Sequence, residues 1–394
     1  MNASDPPPHP PVIADGSIPF NRPSIQGDEM AYMRRAIEGG HSSAAGPYSE
    51  LASAILRDEL GAIDVLLTTS CTDALEMAAM LLDIRPGDTV VVPSFGFVTT
   101  AFAFVRQGAR VLFCDIERER LGLDPAHLAT LVDDTVRAVV PIHYGGVSCD
   151  LDGILDVMER WPRAELVEDN AHGLFGRSGS RMLGTAGRFS TLSFHETKNF
   201  ICGEGGALVL NRPDDVERAH VVYHKGTNRR AFGRGDVDKY TWVDTGSSFG
   251  LSDVLAAFLY GQLLQRDEIV RKRRAASQRY HSLLAPRCAD LGLELIDVPE
   301  DCVRADHLFA LLAPDRELRD RILRRMRAQG VHATFHYVPL HESPGGRAAA
   351  ARPTHCPVST EIAGRLLRLP FYTDLTDDET VRVVETLITA IEAG

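Results

Sequence analysis

The chain has 394 residues, 44% hydrophobic and 24% charged, with a formal net charge of −12 at pH 7. That composition is ordinary for a globular protein, and the length suits about two or three domains. The acidic balance is spread along the chain, which argues against a nucleic-acid footprint, and no run of about eighteen apolar residues offers a membrane span.

Residues 1–17 carry Pro6, Pro7, Pro8, Pro10 and Pro11 without an apolar signal core and read as a disordered leader. Short apolar runs then alternate with helical patterns. Helices are expected at Asp28–Glu38, Ser49–Leu60, Ala74–Leu82, Thr99–Gln107 and Leu151–Glu159. Strands are expected at Val65–Leu67, Thr89–Val92, Arg110–Cys114, Ala138–Ile142, Leu166–Asp169, Ser190–Phe194 and Ala207–Leu210. This alternation predicts an α/β fold with a mostly parallel sheet covered on both faces. A long helical stretch, Asp253 to about Leu284, leads to a second region. There the pattern reads strand His307–Leu312, helix Arg316–Gln329, strand Ala333–Tyr337 and helices Glu361–Leu367 and Asp377–Ile391. The Ala-rich Gly345–Arg352 reads as a mobile loop. The expected division is the leader 1–17, a large domain 18–270 and a small α/β domain 271–394.

The seven cysteines form no C-x-x-C pair and no zinc spacing, so free thiols in a reducing cytoplasm are expected and no metal site is. Only four lysines (198, 225, 239 and 272) stand among 42 lysines and arginines. Lysine differs from arginine in being able to lose its proton and attack a carbonyl. Lys198, in Ser193-Phe-His-Glu-Thr-Lys198-Asn199 ahead of Gly203-Glu-Gly-Gly206, is therefore a candidate Schiff-base lysine as well as a candidate surface charge.

Two further segments fall at expected strand ends, where open parallel sheets bind ligands. Ser70-Cys-Thr-Asp73 offers hydroxyls and helix-start N–H groups to a phosphate, or only an N-cap to its own helix. Glu168-Asp-Asn-Ala-His172 offers a carboxylate that could hold a heterocyclic nitrogen protonated, or a turn cap. Phosphate cradle, acid and lysine in this order match the phosphate, pyridinium and aldehyde of pyridoxal phosphate. The rival for an α/β chain, a nicotinamide enzyme, is disfavoured because no G-x-G-x-x-G follows an expected strand.

The motifs go further together. Thr69-Ser-Cys-Thr-Asp-Ala-Leu-Glu-Met77, Pro93-Ser-Phe-Gly-Phe97, Ser193–Asn199, Gly203–Gly206, Lys225-Gly-Thr-Asn-Arg229, Asp238-Lys-Tyr-Thr-Trp242, Gly246-Ser-Ser-Phe249 and Phe335-His-Tyr-Val-Pro-Leu-His341 resemble the DegT/DnrJ/EryC1/StrS sugar aminotransferases. The resemblance runs from Ile18 to the C-terminal helix and is strongest to the dTDP-4-amino-4,6-dideoxyhexose transaminase branch. It implies the aspartate-aminotransferase-type fold (fold type I), a homodimer sharing its active sites, and pyridoxal 5'-phosphate as cofactor. Lys198 matches the cofactor-bound lysine, Asp169 the acid under the ring nitrogen, His172 the contact to the ring oxygen and Phe97 the stacking aromatic. Cys71, Thr72 and Ser193 match the phosphate site. Ser248 stands where relatives carry an Asn that reaches the neighbouring subunit's phosphate, and Gly96 stands where Thr is usual. Lys225, Arg229, Lys239, Tyr240, His336, Tyr337 and His341 match the substrate region.

The activity implied is transfer of an amino group from L-glutamate to a dTDP-4-keto-6-deoxyhexose, for a surface polysaccharide or an antibiotic. The readings left beside it are a C3-aminating transaminase and, in a different class, a non-catalytic cofactor-binding regulator. Such regulators usually carry a DNA-binding module, for which 17 residues are too few. Relatives that dehydrate keto-sugars replace the lysine by His, and position 198 is Lys.

Overall fold

The computed structural model describes residues 16–392. All but the last two residues of the expected leader therefore lie outside the described residues. Seven strands build the main sheet: β1 (Asp64–Thr68), β2 (Thr89–Pro93), β3 (Arg110–Cys114), β4 (Val136–Val139), β5 (Glu165–Asp169), β6 (Phe189–Ser193) and β7 (Gly206–Leu210). Their order is β1-β7-β6-β5-β4-β2-β3. Only β7 runs antiparallel to its neighbours; every other pairing is parallel. The α/β, mostly parallel expectation is met.

The strands are Val- and Leu-rich because helices cover both faces of the sheet. Alternate residues of β2 show this directly. Val90 and Val92 pack with Leu75 and Phe104 on one side, while Val91 packs with Leu128 and Ile154 on the other. A second, antiparallel sheet joins Glu294–Leu295, Ala310–Leu312 and Leu366–Arg368. Its core of Tyr280, Leu311, Met326, Leu367 and Leu387 also takes in Ile18. Ile18 reaches that core through a bridge to Val331.

Four expected elements differ. The helix from Asp253 to Leu284 is broken at Gln265 into Asp253–Leu264 and Arg266–Leu284. The break lets Leu259 and Leu263 pack on the main sheet while Tyr280 and Leu284 join the second core. Ala333–Tyr337 is not a strand; only Thr334 bridges, to Arg368. The rings of His336 and Tyr337 stack at 3.9 Å, whereas a regular strand would send neighbouring side chains to opposite faces. The expected loop Gly345–Arg352 starts as the helix Pro344–Ala349, capped by Ser343 Oγ accepting from the Gly346 N–H, and Ala350 then bridges Val111. The helix expected to reach Leu367 stops at Arg365, because Leu366–Arg368 pairs with Ala310–Leu312.

Candidate active site

A cavity of about 670 Å³ opens at the carboxyl ends of β5 and β6. Its walls hold Ser70, Cys71, Thr72, Phe97, Asp169, His172, Ser193, Lys198, His336 and Tyr337. The structure thus gathers ten residues from five separated sequence segments.

At one wall Ser70 caps the helix Cys71–Leu81, its hydroxyl accepting from the Asp73 N–H at 3.1 Å. The capping alternative for this motif is therefore real for Ser70. It leaves the Cys71 and Thr72 N–H groups at a helix start with no bond to other described residues. Burial pushes the Cys71 thiol up to about 12, so its side chain stays neutral. Gly206, from the 203–206 cluster, allows this turn to close. A Cβ on Gly206 would lie 2.4 Å from the Cys71 nitrogen.

Asp169 ends β5, nearly fully buried, and accepts from Thr100 Oγ1 at 2.6 Å and the Ala171 N–H at 3.2 Å. Burial raises its pKa; the two hydrogen bonds and the Lys198 charge pull it back. No cation pairs directly with it among the described residues. Glu168 faces the opposite way. Its carboxylate accepts from His143 Nε2 at 2.9 Å and from the N–H groups of Gly184, Ala186 and Gly187 at 2.9, 2.7 and 2.8 Å.

Burial lowers the Lys198 amine to about 8, opposed by the Asp169 charge and helped by the Arg368 charge. A substantial neutral fraction near pH 7 to 8 is what a nucleophilic or proton-moving amine needs. His172 Nδ1 accepts the Gly145 N–H at 3.3 Å, which places its proton on Nε2. It stacks on His307 at 4.1 Å, and His307 Nδ1 lies 3.0 Å from Asn199 Oδ1. Burial and neighbouring cations hold both imidazoles well below the ordinary histidine pKa, hence neutral.

The other substrate residues expected from the sequence are not brought here. Lys225, Arg229 and Ser248 line an adjacent depression of about 380 Å³, which shares Glu204 with the first cavity. Lys239 and Tyr240 line neither; Tyr240 is 53% exposed. His341 is a correction to the sequence reading. Its Nδ1 lies 2.6 Å from Ser94 Oγ, and it lines another depression beside Phe113 and Arg347. The short turn Leu340–Glu342 carries it away from His336.

Sequence reasoning missed Thr100, Phe20 and Arg368, which also line the cavity. Arg368 is one arginine among many, and no motif marks it. It lines the cavity, 7% exposed, with its guanidinium 4.6 Å from the Phe20 ring centre.

The donor set fits pyridoxal phosphate. Free helix-start N–H groups and Ser193 suit a phosphate. Asp169 is a buried carboxylate without a counter-cation, suiting a protonated ring nitrogen, and Lys198 is an amine of lowered pKa.

Comparison with known proteins agrees. TlmJ, an aminotransferase from Streptoalloteichus hindustanus, is 28% identical, with 96% of this chain and 100% of that one covered and a TM-score of 0.87. The sugar aminotransferase CalS13 from Micromonospora echinospora is 25% identical over 94% of this chain and 99% of its own, with a TM-score of 0.84. Spr1654 from Streptococcus pneumoniae in its PLP-form shares the fold at 23% identity, covering 96% and 99%, with a TM-score of 0.87. The DegT/DnrJ/EryC1/StrS aminotransferase family model matches residues 23–388. The chain belongs to that family and is a pyridoxal-phosphate-dependent aminotransferase of fold type I.

Proposed function

We propose that the chain transfers an amino group from L-glutamate to C4 of a dTDP-4-keto-6-deoxyhexose, giving dTDP-4-amino-4,6-dideoxyhexose. The observation that carries the aminotransferase chemistry is the meeting of Lys198 and Asp169 in one cavity with the start of the helix Cys71–Leu81. The similarity to a sugar aminotransferase and the motifs of the C4-aminating branch carry the substrate.

When bound, the cofactor supplies an aldehyde for the amino group and a ring for the electron pair left at the donor's Cα. The protein's part is proton handling and orientation. Lys198 Nζ takes the proton from the donor's Cα and later returns one to the sugar's C4. Its lowered pKa lets it do both near neutrality. Asp169 Oδ2, braced by Thr100, holds the ring-nitrogen proton. His172 offers its Nε2–H to the ring oxygen, since Gly145 occupies Nδ1. Phe97 covers the ring face, and Ser193 with the Cys71 and Thr72 N–H groups holds the phosphate.

Lys225, Arg229 and Ser248 serve a second copy of the chain in a homodimer. They lie in a depression beside the chain's own cavity rather than within it, which supports that assignment. All seven cysteines are free, which supports a reducing cytoplasm.

The test is incubation with pyridoxal phosphate, L-glutamate and dTDP-4-keto-6-deoxyglucose, with NMR of the product. An amine at C4 is expected. Failure to aminate the 4-ketone, with amination of a 3-keto isomer, would replace the C4 reading.

A further inference from the structure

We infer that His307, held by Asn199, is a positioning residue: stacked on His172, it fixes the direction in which His172 offers its Nε2–H to the cofactor. The inference rests on the aminotransferase reading above, in which His172 meets the ring oxygen.

Neither His307 nor Asn199 lines the Lys198 cavity. Both are buried, at 4% and 7% exposure, so any effect on the site passes through a neighbour that does line it. His172 is that neighbour. Its ring centre lies 4.1 Å from that of His307, with the planes 21° apart.

The hydrogen bonds assign a proton to each ring. Asn199 Nδ2 donates to the Ala305 carbonyl at 2.7 Å. That bond orients the amide, so Asn199 Oδ1 faces His307 Nδ1 at 3.0 Å. An amide oxygen only accepts, so Nδ1 of His307 carries the proton. His172 carries its own on Nε2, because its Nδ1 accepts from the Gly145 N–H. The stacked rings thus hold opposite tautomers, and burial keeps both neutral. The charges facing them are those of Lys198, Arg273 and Arg368; His336, the third imidazole nearby, is neutral as well.

One stretch of backbone serves both rings. Gly145 gives its N–H to His172, and its carbonyl accepts the His307 N–H at 3.4 Å. The Ala305 N–H donates to the Gly146 carbonyl at 3.0 Å. A Cβ on Gly146 would lie 2.9 Å from the His172 carbonyl oxygen and 3.0 Å from the Ala305 nitrogen, so glycine lets the two segments close. From the other side Arg273 donates Nε to the Asp306 carbonyl at 3.0 Å and Nη2 to the His307 carbonyl at 2.7 Å. His307 is therefore pinned along its backbone and, through Asn199, at Nδ1.

Packing alone does not ask for this. A phenylalanine would fill the same volume with no buried ring nitrogen and no amide to satisfy it. What the imidazole adds is a link. Asn199 follows Lys198 in the chain, so its bond ties the segment that carries the amine to the ring stacked on His172. The aldehyde and ring oxygen of the cofactor sit on neighbouring ring carbons, so Lys198 and His172 must be placed in register with each other.

The test reads the pH midpoint of the visible band of the cofactor-loaded protein. An N–H given to the ring oxygen draws electron density from the ring and lowers that midpoint. His307→Ala is expected to raise it by about 0.5 to 1 pH unit and to lower kcat about tenfold, with KM for L-glutamate within about twofold. Asn199→Ala keeps the ring but releases its Nδ1, and is expected to raise the midpoint by about half as much. His307→Phe keeps a ring on His172 without the Asn199 bond, and is expected to match Asn199→Ala; it decides alone if the Ala variants do not fold. In a His172→Gln background, His307→Ala is expected to move the midpoint no further, because it acts through His172. A His307→Ala protein that melts lower with its midpoint unchanged would make His307 core filling and overturn the inference. A midpoint that still moves in the His172→Gln background overturns it too, as does the wild-type midpoint in His307→Phe. A wild-type protein that shows no Lys198-dependent visible band fails the aminotransferase reading instead, before His307 is in question.

Discussion

Thr100 Oγ1 donates to Asp169 Oδ2 across 2.6 Å, joining the start of the helix after β2 to the end of β5 inside the cavity. The hydroxyl fixes the carboxylate's direction and favours its charged form against burial. Asp169→Asn should keep the fold and lose about 100-fold or more in turnover, because the ring-nitrogen proton is no longer held. Thr100→Val should cost about tenfold. Steady-state kinetics with matched circular dichroism checks both; near wild-type activity in Asp169→Asn would reduce Asp169 to a turn cap.

The adjacent acid should behave in the opposite way. Glu168→Ala leaves His143 and three N–H groups buried without their acceptor, at a cost of about 3–5 kcal/mol. Urea unfolding should show a large loss of stability for Glu168→Ala and almost none for Asp169→Asn.

Lys198→Ala and Lys198→Arg should abolish the visible absorption of the cofactor-loaded protein. Arginine keeps the charge but does not present a neutral amine. In cofactor-free protein, acetylation of Lys198 followed by mass spectrometry should rise with a midpoint near pH 8 rather than the ordinary 10.5. A visible band unchanged in either variant would refute the assignment.

His172, His307 and His336 are neutral in the fold, with pKa values below the ordinary 6.5. The unfolded chain therefore binds more protons below pH 6.5, and stability falls as pH drops through that value. The slope is at most about 1.4 kcal/mol per pH unit for each histidine. Asp169, raised by burial, works weakly against this. The melting temperature should fall between pH 6.5 and 5, and His336→Gln should flatten the fall. A flat profile in the wild-type protein would show that these imidazoles are protonated in the fold.

Gly206→Ala places a Cβ 2.4 Å from both the Cys71 nitrogen and the Ser70 carbonyl carbon. Backbone on both sides leaves little room to relax, so a cost of about 1–3 kcal/mol is expected. The Cys71 and Thr72 N–H groups should also move from phosphate-binding positions. Equilibrium dialysis of pyridoxal phosphate should show weaker binding; wild-type affinity would mean the turn is not held by this contact.

The sequence by itself determined the parallel sheet and the site's principal chemistry. Apolar runs such as Val90–Val92 alternate with helical periods, and Lys198, Asp169 and the Ser70–Asp73 turn fall at strand ends, where parallel sheets converge. Those positions follow from local pattern and connectivity. What local pattern does not carry is which side chains from distant segments face one another. The break at Gln265 and the irregular run before His336 come from packing against the second core. Packing on the main-sheet core, which takes in Leu340, Tyr223 and Phe249, turns His341 toward Ser94 and sets Lys225, Arg229 and Ser248 in a neighbouring depression. Arg368 is the sharpest case. In sequence it is one arginine in an arginine-rich chain. Only the pairing of Leu366–Arg368 with Ala310–Leu312 and with Thr334 buries its charge at the wall of the Lys198 cavity, with no carboxylate partner among the described residues.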